Sequence, residues 1–142
     1  MNVNIVDLRT GKISPVPGSE GIFSPHWSPD GRHLAALSSA NTSVLLFDFE
    51  TRKWSELADI PAAFPNWSRD GKYVYFHSFG NDLSIFRVRI SDRKREKVVD
   101  LKGVRLTVND SGIWCGLTND DSPLVLRDIG TQEIYALDLR LP

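Results

Sequence analysis

Three histidines, one cysteine and two isolated aspartates are the side chains of this sequence with the widest chemical reach. A zinc site needs several ligands on one ion, and sequences usually show them as close pairs. His26, His33 and His77 have no second ligand at such spacing, so they read as packed or surface residues and no metal is expected. Cys115 lies in the apolar run Ile113-Trp114-Cys115-Gly116-Leu117, the setting of a buried, inert thiol. Asp30 and Asp70 each stand directly before a glycine. A calcium loop would need several oxygen donors in a short window, whereas a turn needs only this pair. The Gly-x-Ser-x-Gly nucleophile elbow and the phosphate-binding glycine patterns are absent. Neither a catalytic residue nor a cofactor is therefore expected, and the chain reads as a non-enzyme. Sequons at Asn41, Asn66 and Asn109 are attributed to chance, two of them falling in or beside repeated boxes.

Composition narrows the partners. The 142 residues carry a net charge of −1, without the basic excess that draws proteins to nucleic acid. No apolar run is long enough to cross a bilayer. Residues 1–7 contain neither a basic leader nor an apolar stretch, so no secretion signal is expected there. A single cysteine excludes an internal disulfide. What remains is a protein partner or a small ligand of unknown identity.

The elements that would carry such a site come from a repeat. Phe23-Ser24-Pro25-His26-Trp27-Ser28-Pro29-Asp30-Gly31-Arg32 matches Phe64-Pro65-Asn66-Trp67-Ser68-Arg69-Asp70-Gly71-Lys72, with Trp27 to Trp67 and Gly31 to Gly71 both 40 positions apart. A weaker third copy is read at Val108-Asn109-Asp110-Ser111-Gly112-Ile113, placing Gly112 41 positions after Gly71. Asp7, before Thr10-Gly11-Lys12, and Asp48, before Thr51-Arg52-Lys53, are also 41 apart. Short alternating runs separated by turn residues predict four strands per repeat, near 23–28, 33–39, 44–49 and 54–58 in the first. A period of this length with four strands is the signature of a β-propeller blade. Blades are covered on both faces, so Trp27 and Trp67 are expected in the core between them.

At these boxes the chain resembles the TolB-type, WD-repeat-like propeller family, whose box reads approximately Pro-x-Trp-Ser-Pro-Asp-Gly-Lys. The first box matches nearly throughout and the second departs only at Arg69. The resemblance implies an all-β propeller serving as a recognition scaffold. Residues 121–138 are similar to the closing segment of propellers in multidomain bacterial proteins, behind CadC-like winged-helix or kinase modules. That likeness implies a sensor or interaction part of a signalling or transcription-regulator protein, periplasmic or extracytoplasmic, with a cytoplasmic location left open. The alternative is the substrate-gating propeller portion of a prolyl-oligopeptidase-like serine peptidase.

The expected organisation is a half blade at about 3–17 and blades at about 23–58, 64–101 and 104–140, about three and a half in all. Up-and-down strands would put the strand-four-to-one and strand-two-to-three loops on one face. Those loops hold Glu20, Asp59, Asp82, Asp120 and Asp121 against Lys102, while the opposite face carries basic turns such as Arg32, Arg52, Arg69 and Lys72. The acidic loops are the expected binding face. The incomplete ring leads to an expectation of missing upstream blades or self-association that completes the ring.

Overall fold

The computed structural model describes all residues except Asn81, Asp110, Ser111 and 132–142. It is all-β, and among the described residues there is no helix. Strands β1 (Asn4–Val6) and β2 (Ile13–Pro15) form a hairpin. Strands β3 (Phe23–Trp27), β4 (His33–Leu37), β5 (Ser43–Asp48) and β6 (Lys53–Asp59) form one antiparallel meander. Strands β7 (Ala62–Trp67), β8 (Tyr73–Ser78), β9 (Ser84–Arg89) and β10 (Arg95–Asp100) form the next.

Alternation along these strands decides which sheet covers which. Leu34, Ala36 and Phe47 point back toward Val3, Val16 and Ile22 of the N-terminal hairpin region. Ala35, Leu37, Val44 and Leu46 point forward and pack against Val74, Phe76, Phe86 and Val88 of the second meander. The second meander in turn presents Tyr75 and Ile85 to Leu106, Leu117 and Val125. The inner strands of each meander are thus buried on both faces, which is why β4 and β8 are almost continuously apolar and not half polar.

The repeated boxes fold into one repeated turn. Ser28 Oγ accepts the His33 N–H at 2.8 Å, and Asp30 Oδ1 accepts the Arg32 N–H at 2.9 Å. Ser68 and Asp70 do the same for Tyr73 and Lys72, at 2.9 and 3.0 Å. Gly31 and Gly71 close these turns at φ 71° and 69°, in the left-handed region that glycine enters at no steric cost. The other recurrent turn uses Asp7 and Asp48, whose Oδ1 atoms each collect two backbone N–H groups.

Two expectations need correction here. Trp67 packs against the core between the meanders, but Trp27 is 50% exposed, because the hairpin β1–β2 covers Phe47 and stops short of it. The third box stands elsewhere than read. Strands β11 (Val108–Asn109) and β12 (Gly112–Ile113) form a small separate hairpin. The box turn instead recurs at Thr118, 50 positions after Ser68. Thr118 Oγ1 bonds the Asp120 carboxylate and accepts the Ser122 N–H, and Asp121 takes the left-handed place at φ 63°. It joins β13 (Cys115–Leu117) to β14 (Pro123–Val125). Leu106 also bridges Arg127 antiparallel, so residues 105–107 pair with the continuation of β14. The end of the blade expected at 104–140 lies outside the described residues.

Candidate functional site

Strand direction sorts the connections into two ends. The turns at residues 28–32 and 68–72 lie at one, and the β4–β5, β6–β7 and β8–β9 loops at the other. At the loop end, where β3 and β7 begin side by side, a cleft of about 270 Å³ is lined by Phe23, Ser24, Leu37, Asn41, Ala63 and Phe64.

Three of its lining residues hold backbone conformations that L-residues rarely adopt: Ser24 at φ 52°, Asn41 at 56° and Phe64 at 52°. Ser24 and Phe64 each precede a proline and sit at a bulge. The register of β3 on β4 jumps from Phe23↔Leu37 to His26↔Ala35, and that of β7 on β8 from Ala63↔His77 to Asn66↔Tyr75. The extra residue bends each first strand between its paired start and the rest of the ladder. Asn41 closes the β4–β5 loop, its carbonyl accepting the Ala62 N–H at 3.2 Å and so tying that loop to β7. The result is a shallow, largely apolar recess with irregular backbone at its rim. Ser24 is the one hydroxyl in the lining of this recess and no acid or base lines it beside Ser24; the recess can seat an apolar side chain of an extended partner. The bulges could not be found from residue types alone; the only sequence signal was the proline repeated at Pro25 and Pro65.

The acidic residues expected on this face are not brought together. Glu20 and Asp59 are exposed on loop ends. Asp82 is neutralised locally: Lys97 Nζ lies 2.8 Å from its Oδ1, and this bond, with a second from Ser84, holds its carboxyl below the usual range. Asp120 and Asp121 belong to the turn type of the opposite end, where Asp121 Oδ1 accepts the Arg69 N–H at 2.8 Å. Beside them, a second cleft of about 430 Å³ is lined by Asn66, Trp67, Arg69, Leu117, Thr118, Asn119 and Asp121. Its Asn66 amide is already committed to the carbonyls of Phe64 and Cys115.

The titratable groups with chemical reach are withdrawn from solvent. Burial pushes the Cys115 thiol up to about 11, leaving almost no thiolate at neutral pH. His26 and His77 have pKa values lowered, by burial above all. Among the described residues no three His, Cys, Asp or Glu side chains converge as a metal would require.

No family model matches the chain. It is similar to the uncharacterized peptidase YuxL of Bacillus subtilis (strain 168), 28% identical over 122 residues, which cover 81% of this chain and 19% of that protein. Among solved structures it resembles TolB from Acinetobacter baumannii, with a TM-score of 0.61 and 19% identity over 92% of this chain and 44% of that one. It also resembles a prolyl endopeptidase, with a TM-score of 0.60 and 17% identity over 89% of this chain and 23% of that one. These likenesses show the fold: the described residues form part of a β-propeller like those of the similar structures. The chain spans less than half the length of each of these similar proteins.

Proposed function

We propose that the chain is a non-catalytic recognition scaffold whose loop-bearing end takes an extended protein segment. The observation that carries this reading is the cleft at Ser24, Asn41 and Phe64. Ser24 and Phe64 hold left-handed backbone there, a conformation that costs about 1–2 kcal/mol each for such residues, while Asn41 is of a type that tolerates it. Such strain persists where the surrounding structure over-determines it, and it concentrates at ligand clamps. A place in an extracytoplasmic sensor or signalling protein is part of the same proposal and rests on the resemblance read from residues 121–138 of the sequence. The test is selection of random dodecapeptides on the purified chain, followed by amide-shift mapping. Shifts centred on Ser24, Asn41 and Phe64 support the reading; shifts centred on the turns at 28–32 and 68–72 sink it.

A second reading has its own support in the similarity to YuxL and to a prolyl endopeptidase. There the same end would gate substrate entry to a hydrolase domain elsewhere in the polypeptide. The two separate on one measurement. The complete polypeptide bearing these residues reacts with a fluorophosphonate serine probe under the gating reading and stays unlabelled under the recognition reading.

A further inference from the structure

We propose that the cleft between Asn66 and Leu117 binds a small planar aromatic acid, a ring that carries an N–H donor with a carboxylate close to it. This site lies at the turn-bearing end of the sheets, away from the recess that takes an extended segment. The same kind of interface occurs twice in the molecule and is filled by an indole only once. Between the two meanders the residue before the box serine is Trp67. Its indole N–H donates to the His26 carbonyl of the preceding sheet at 2.9 Å, and the His33 ring lies over it at 6.2 Å. In the turns alongside, Pro29 packs by Gly71, its Cδ 3.7 Å from where a Cβ would stand. Neither of these two residues contributes a polar side-chain group.

Between the second meander and the β13–β14 hairpin, three of these positions change together. Leu117 precedes Thr118 as Trp67 precedes Ser68, Arg69 replaces the proline, and Asp121 replaces the glycine. All three line the cleft of about 430 Å³, along with Asn66, the counterpart of His26. Leucine is smaller than an indole and has no N–H, so the cleft stands where the other interface holds a tryptophan ring. His33 also has an aromatic counterpart, Tyr73, which packs in one cluster with Leu117.

The remaining groups define the rest of the ligand. The Asn66 side chain donates its N–H groups to the carbonyls of Phe64 and Cys115, at 2.7 and 3.2 Å. Its amide orientation is thereby fixed, and Oδ1 is left as an acceptor for a ring N–H. Trp67 lines the cleft and gives an entering ring an aromatic neighbour. Arg69 is exposed, and among the described residues no carboxylate pairs with its guanidinium. A guanidinium receives a carboxylate through two parallel hydrogen bonds. Asp121, whose Oδ1 accepts the Arg69 backbone N–H at 2.8 Å, disfavours a second anion beside its own turn. The ligand's acid is therefore confined to the Arg69 side. The volume lies within the range of small-molecule pockets.

The test is titration of the 142-residue chain with indole-3-acetate and with its neutral isostere indole-3-acetamide, followed by amide and indole N–H shifts. Saturable shifts are expected at Asn66, the Trp67 indole, Leu117 and Asn119, with the acetamide bound roughly tenfold more weakly. Arg69→Gln keeps the backbone N–H that Asp121 accepts, and it should bring the two ligands to equal affinity. Leu117→Trp sets the repeat's own ring in the cleft and should abolish binding of both, with cooperative unfolding showing that the variant is folded. The Arg69→Gln arm decides even where Leu117→Trp does not fold. Four results overturn the proposal: no saturable shift; shifts centred elsewhere, the recess at Ser24, Asn41 and Phe64 included; equal affinity for acid and amide in the parent chain; or undiminished binding to folded Leu117→Trp.

Discussion

His77 holds, in the second meander, the place that Leu37 holds in the first, since the two are 40 positions apart and face forward out of their sheets. It is 98% buried, with Phe64 stacked 5.9 Å away, and among the described residues no hydrogen-bond partner is placed on its Nε2. A buried polar atom left without a partner costs about 1–3 kcal/mol. His77→Leu is thus expected to raise stability by up to that range, as read from denaturant midpoints at pH 7.5. Burial also lowers the imidazole's folded-state pKa from 6.5, so the unfolded chain takes up its proton first. Stability is lost as pH falls below 6.5, and the Leu variant loses less, because His26 and, at lower pH, carboxylates whose pKa values are lowered in the fold, such as Asp30 and Asp70, still contribute. Equal pH slopes in both proteins would show that His77 is solvated. Residue type told part of this in advance. The pairing of Trp67 with a core was legible from the repeat, because a bulky group recurring at one register implies a packing position. The exposure of Trp27 was not, since burial depends on the neighbouring sheet, and its own sequence is as good a box as the second.

The turn that joins the first two strands of a blade is the most legible element, and its chemistry explains both the success and the failure. Ser-Pro-Asp-Gly and Ser-Arg-Asp-Gly advertise a hydroxyl acceptor, a carboxylate acceptor and a left-handed residue in fixed order. Thr118-Asn119-Asp120-Asp121 supplies the same three groups with Thr for Ser and Asp for Gly, substitutions the geometry accepts because aspartate tolerates left-handed backbone. Matching letters and not functions put the third box nine residues too early, on the β11–β12 hairpin. The cleft at Ser24, Asn41 and Phe64 stayed hidden for a related reason: bulges are set by register between strands, which composition does not carry. If conformation is what the box glycine provides, Gly71→Val should destabilise the chain by about 1–2 kcal/mol, with the loss read as a lower denaturation midpoint. Space is not the issue, since a Cβ there would meet Pro29 at an ordinary 3.7 Å. An unchanged midpoint would mean that the φ of 69° relaxes freely.

For the whole molecule, the distribution of buried contacts implies an order of opening. The largest apolar cluster ties the two meanders together through Leu37, Val44, Phe76, Phe86 and Val88, while Leu34 and Phe47 anchor the N-terminal hairpin from the other side. Strands β4, β5, β8 and β9 lie inside this double layer, and their amides can be exposed only by separating the sheets. Strand β10 is exposed at all positions but Glu96, and β1 and β2 have one ladder each. Residues 105–125 dock through fewer groups: Leu106, Leu117 and Val125 on Tyr75 and Ile85, with Cys115 and Asn66 linking β13 to β7. Local opening free energy follows such contact density, from near zero at sparsely held segments to the global value in the core. Native-state hydrogen exchange should therefore show β4, β5, β8 and β9 opening together at the global free energy of unfolding. The β13–β14 pair and the β1–β2 hairpin should exchange roughly a hundredfold faster, without dependence on global unfolding. The outcome to watch is β13. If its amides exchange with the same denaturant dependence as β8, the third unit is cooperatively part of the two-meander core, and the order of opening derived from the clusters is wrong.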